Sequence, residues 1–116
     1  MIKKLNNPDA AYKLFFSSLA NHNRLKIVNI LREGKKNVGE ICKATGFEQT
    51  MVSHNLKRLG LCGMVFSERE GRYKYYNINK NTIKPLLEMI DAHMEKYCCK
   101  LINTKKYKHR DKKSKH

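Results

Sequence analysis

The chain has 116 residues, 41% of them apolar, which is enough for one hydrophobic core and too little for two. It carries 25 Lys and Arg against 10 Asp and Glu, a formal charge of +15, and self-repulsion on that scale points to a polyanionic partner. No run approaches the roughly 18 apolar residues of a membrane-spanning helix, and the opening MIKKLNNPDAAYKLFF has no apolar run with a small-residue cleavage site, so a cytoplasmic protein is expected rather than a membrane or secreted one.

Pro8 suits a first helical turn, and Ala11, Tyr12, Leu14, Phe15 and Leu19 follow at helical spacing, predicting a first helix from Pro8 to Leu19. Asn21 caps a second, His22 to Arg32, apolar on most of its circumference and stopped by Gly34. Asn37 caps a short third helix, Val38 to Thr45, closed by Gly46. The fourth, Gln49 to Leu61, sets Val52, Leu56 and Leu59 on one stripe and Thr50, Ser53, His54 and Lys57 on a second, wholly polar one. Two short helices around a Gly-containing turn, the second with one apolar and one polar side, describe a helix-turn-helix.

After Gly63 the period becomes that of strands. Met64 to Arg69, a turn at Glu70 and Gly71, and Tyr73 to Ile78 predict a β-hairpin with Arg69 and Arg72 beside its tip. A basic hairpin directly after a recognition helix is a wing. The last helix starts near Thr82 with Pro85 in its first turn, and Ile83, Leu87, Ile90, Met94, Tyr97 and Leu101 repeat at steps of four and three, the seam of a dimerisation helix. The fold class is therefore mainly α with one β-hairpin, an α+β winged helix-turn-helix: three helices, the recognition helix, two strands and a final helix, dimeric through its terminal helices. Residues 1–103 form this domain. Residues 104–116 hold seven Lys or Arg and one Asp and read as a disordered basic arm, which leaves +9 on the domain itself.

This order of parts, with the strings LANHNRLKIVNIL, VGEICKATGFEQTMVSHNLKRLGLCGMV and REGRYKYYNI, resembles the ArsR/SmtB family from about Ala11 to Cys98; its most specific piece is QTMVSHNLKRL on the recognition helix. The resemblance implies a homodimeric repressor whose recognition helices enter successive major grooves of an imperfect palindrome and leave when an inducer, usually a metal ion or arsenical, binds. It also implies where the family's metal sites fall, and both are incomplete here. Asn37 and Gly39 stand in place of a Cys-x-Cys, leaving only Cys42. Lys80 and Thr82 stand where an acidic residue and a His begin the last-helix site, leaving only His93. Asp91-Ala-His93 does not replace that site, because residues two apart on a helix diverge by about 200°.

Gln49, Thr50, Ser53, His54 and Lys57 are thus candidates for DNA contact, Gln49 as a bidentate reader of adenine and Lys57 as a phosphate contact; otherwise they are a solvated helix face. Arg69 and Arg72 either reach the minor groove or solubilise a hairpin tip. Free cysteines are expected in a reducing compartment, and Cys42, Cys62, Cys98 and Cys99 match no zinc-finger spacing. Cys98 and Cys99, with Cys62 as a further donor, are either core filling or thiolates for a soft metal ion, arsenite or an oxidant acting as inducer rather than as catalytic cofactor. Their neighbours on one helix diverge by about 100°, so a shared ion requires the helix to fray or the partner chain to contribute. His93 is a further ligand or plain surface. No phosphate loop, Gly-flanked Ser or Cys-His pair supports catalysis. The rival to a repressor is a sequence-tolerant architectural DNA binder without an inducer.

Overall fold

A computed structural model of the chain describes residues 7–102; the basic arm expected at 104–116 lies outside them. The order of elements is α1 (Pro8–Leu19), α2 (His22–Leu31), α3 (Val38–Thr45), α4 (Gln49–Leu61), β1 (Val65–Glu70), β2 (Tyr73–Ile78), α5 (Ile83–Tyr97) and α6 (Cys99–Ile102). Asparagines start the first three helices. The Asn7 and Asn21 side chains accept from the amides of Ala10 at 3.1 Å and Arg24 at 3.0 Å. Asn37 accepts from Glu40 N–H while the Glu40 carboxylate accepts from Asn37 N–H, both at 2.9 Å. Each bond satisfies an amide that the helix start leaves without a partner.

The turn into α4 is built just as locally. Gly46 takes φ +79°, a left-handed conformation that costs glycine little. The Thr45 hydroxyl donates to Ile41 O at 2.8 Å and accepts from Phe47 N–H at 3.1 Å, bracing the turn from within. Ile27, Val28 and Leu31 of α2 meet Ile41 of α3 and Val52, Leu56 and Leu59 of α4 in a fully buried core, closed at the root of the hairpin by Met64, Val65 and Ile78.

The strands pair antiparallel from Val65 with Ile78 to Glu70 with Tyr73, so the two-residue turn is Gly71-Arg72, one residue later than the expected Glu70-Gly71. Gly71 has φ +63° and no described residue other than glycine, Arg72 included, has positive φ, the pattern of a type II′ turn, whose twist matches that of the strands. Lys36 adds a third backbone partner, exchanging N–H to O bonds of 3.1 and 2.9 Å with Tyr76. Sequence spacing carries no signal for such a bridge.

Among the described residues, Lys84 and those after it form a second compact unit. Its helix stops at Tyr97 and restarts at Cys99 as α6, where one continuous helix through Leu101 was expected. Tyr97, Cys98 and Cys99 are three consecutive residues of weak helix propensity.

Candidate nucleic-acid interface

α4 separates its two sides cleanly. Val52, Leu56 and Leu59 are buried, whereas Gln49, Thr50, Ser53, His54 and Lys57 are all exposed. A polar clamp fixes the helix from behind. From α2, the Arg24 guanidinium donates to Ser18 O at 2.6 Å, to Ser17 O at 3.4 Å and to Asn55 Oδ1 at 3.2 Å. Asn55 donates in turn to Met51 O at 3.0 Å, and Arg58 to the hydroxyl of the fully buried Ser18 at 3.2 Å. One cation thereby satisfies carbonyls at the end of α1 and ties them to α4, so the exposed side of α4 is held by hydrogen bonds as well as by apolar packing.

Ser18, Arg24, Asn55 and Arg58 belong to none of the caps and stripes by which the sequence marks its functional residues. A signal existed for Asn55. It lies three residues after Val52 and four before Leu59, a polar side chain inside an apolar stripe.

The register divides the wing into two unlike faces, because alternate residues of a strand point to opposite sides. Ser67 and Arg69 of β1 share one face with Tyr76 and Lys74 of β2; Phe66, Glu68 and Glu70 share the other with Asn77, Tyr75 and Tyr73. The first face adjoins α4 across a cleft of about 370 Å³, bordered by Ser53 and Lys57 on the helix and by Ser67, Lys74 and Tyr76 on the wing. On the second face, Lys35 reaches over from the α2–α3 loop to pair with Glu70 and, at 3.6 Å, with Glu68. Its ammonium also stands 5.4 Å from the centre of the Tyr75 ring. The hydrogen bond to Glu70 raises the Lys35 pKa above the ordinary lysine value. Arg69 and Arg72 are both exposed, Arg69 opposite Lys74 and Arg72 in the turn itself.

The residues of the expected dimer seam divide along α5. Ile83 and Leu87 are buried, Met94 is half-buried, and Ile90 and Tyr97 are 41% and 66% exposed. Ile83, in the first unit, is a core residue of the protomer. His93 packs its ring on Tyr97 at 5.2 Å between centroids. Cys62 ends α4 with its thiol 3.4 Å from the Ser18 hydroxyl, and Cys42, Cys62 and Cys98 are half-buried free thiols. Cys98 occupies the step between α5 and α6. Among the described residues no three His, Cys, Asp or Glu side chains converge on a point that would hold a metal ion. Nor is any described helix long and apolar enough to cross a membrane.

A recognition helix fixed from behind, preceded by a short helix and a glycine turn and followed by a two-stranded wing, defines the winged helix-turn-helix class. Residues 21–67 match the family model for bacterial regulatory proteins of the arsR family. The HTH-type transcriptional regulator Rv0081 of Mycobacterium tuberculosis is 35% identical over 80 residues, covering 66% of this chain and 70% of the relative. Its crystal structure superimposes with a TM-score of 0.70 over 79% of this chain and 96% of that one, at 29% identity. The homodimeric winged helix-turn-helix DNA-binding domain of Mb0332 from Mycobacterium bovis gives a TM-score of 0.68 at 29% identity, covering 79% of this chain and 88% of that one. A probable mercury resistance operon repressor of Streptomyces lividans is 30% identical over 81 residues, 70% of this chain and 64% of the relative. The match spans 33% and 65% of the length of two curated relatives at 36% identity. The chain belongs to the ArsR family of transcriptional regulators.

Proposed function

We propose that this chain is a DNA-binding transcriptional repressor that acts as a homodimer on an imperfect palindrome and is released by a thiophilic inducer. The observation that carries the reading is the continuity of two surfaces: the exposed polar side of α4 runs directly into the basic face of the wing. On it, Gln49 reads a base edge, Thr50, Ser53 and His54 contact bases or backbone, and Lys57 meets phosphate. Arg69 and Arg72 carry the wing toward the minor groove. Two such surfaces, joined through the apolar residues exposed on α5, match a site with twofold symmetry.

The inducer acts at Cys98 and Cys99, with Cys62 as a further thiol. A soft metal ion, arsenite or an oxidant suits sulfur donors. Neighbouring residues on one helix diverge by about 100°, so a bound ion draws on Cys62 or on a thiolate of the partner chain as well. The Streptomyces lividans relative, a probable mercury resistance operon repressor, supports a thiophilic inducer.

The test is a competition gel shift in which a palindrome selected from random duplexes competes with scrambled DNA, repeated with mercury, cadmium, arsenite and peroxide. A repressor prefers the palindrome by about 10³ or more and lets go in at least one of these additions. Equal binding to both duplexes marks an architectural binder instead. A Cys98→Ser, Cys99→Ser double variant that still responds overturns the thiol assignment.

A further inference from the structure

The cleft between α4 and the wing has no role of its own in base reading, although Ser53 and Lys57 of the DNA-facing side border it. It draws Ser53 and Lys57 from the helix and Ser67, Lys74 and Tyr76 from the wing, elements brought together only by the fold. Every polar side chain at its rim can donate a hydrogen bond, and no carboxylate lines it. The two glutamates of the wing stand on its opposite face, where Lys35 engages both. Lys57 and Lys74 are exposed and make no ion pair among the described residues. Lys74 is also directed: its ammonium lies 5.7 Å from the centre of the Tyr76 ring, a cation–π contact that favours a position over the cleft.

We propose that this cleft seats one backbone phosphate of the DNA, held jointly by the ammonium groups of Lys57 and Lys74 with hydrogen bonds from the hydroxyls of Ser53 and Ser67. The assignment rests on the reading that the chain binds duplex DNA, and it adds a register-setting contact to that reading. A phosphate between recognition helix and wing fixes how deeply both enter their grooves and carries no sequence information itself. The seat also gives Glu68 and Glu70 a place: turned to the far face, they keep their charge off the backbone.

The experiment measures binding of the full chain to a selected duplex and to a scrambled one across a salt series, for wild type, Lys57→Ala, Lys74→Ala, the double variant and Glu68→Gln. Thermal melts of each variant confirm that these exposed positions leave the fold intact. If one phosphate is shared, the double variant flattens the log–log salt slope by about 0.9 on both duplexes. Each single variant then takes part of that loss, and Glu68→Gln keeps the wild-type slope. A double variant that loses about twice that amount means two separate phosphates and overturns the shared seat. So does a Lys74→Ala variant with the wild-type slope and affinity, although DNA binding itself then stands. A wild-type chain that binds neither duplex removes the DNA-binding reading, and the seat falls with it.

Discussion

α4 and α5 are both amphipathic helices of similar length, yet their apolar stripes end differently. On α4, Val52, Leu56 and Leu59 are wholly inside the protomer. On α5, burial reaches Ile83 and Leu87 and then gives way to exposed Ile90 and Tyr97, with Met89 exposed as well. Helical spacing alone cannot distinguish a stripe completed within one chain from a stripe that needs a second chain, because both obey the same period. The difference teaches where each stripe is completed: that of α4 within its own fold, while the outer part of α5 leaves apolar side chains exposed, as the proposed dimer requires.

Matched substitutions break the comparison most directly. Leu56→Asp would place an unpaired carboxylate at a position 1% exposed, at a cost of several kcal/mol that a marginally stable domain does not survive. Circular dichroism is expected to show an unfolded chain. Ile90→Asp applies the same chemistry to α5, where the folded protomer remains and sedimentation shows monomers in place of dimers. An Ile90→Asp chain that unfolds like Leu56→Asp would make the α5 stripe an internal one.

The clamp behind α4 sharpens the contrast at a smaller scale. Asn55→Ala removes the acceptor for Arg24 Nη1 at a site 6% exposed, and leaving buried polar groups unpaired costs about 1–3 kcal/mol. The midpoint of urea unfolding falls accordingly, while Ile90→Ala, at a more open site, moves it less at concentrations where the protein is monomeric. On the exposed side of α4, Gln49→Ala leaves urea unfolding unchanged. It relaxes discrimination at one base pair per half-site by about 1–3 kcal/mol, read from binding to single-base variants of the selected duplex.

The smallest effect belongs to Lys35, an exposed anchor of the wing. Lys35→Ala leaves melting essentially unchanged and shows itself as faster amide exchange near Glu68 and Glu70. The folded-state pKa is raised, so the contribution of this contact is full below the ordinary lysine pKa and disappears as pH rises through the raised value. The Lys35 side-chain resonance therefore titrates above that of a lysine in an unfolded peptide.

Much of this arrangement was legible in the sequence because it is written in local terms. Asparagine caps, glycine stops and apolar residues three and four apart located the helices, and Gln49 to Leu61 has its expected bounds because the glycine turn before it and the stripe along it agree. Net charge and the Gly71 turn announced a basic wing. Only the tertiary structure decided the rest. A one-residue displacement of the turn moves every cross-strand partner by two, so Arg69 stands opposite Lys74 rather than Arg72, and only packing decides that the face carrying Ser67 and Lys74 adjoins α4 while Glu68 and Glu70 lie on the other. The Arg24–Asn55 and Lys35–Glu70 contacts join residues 31 and 35 positions apart. No local periodicity encodes such contacts, because they form only when separate elements pack and each polar group must find a partner in the space that packing leaves.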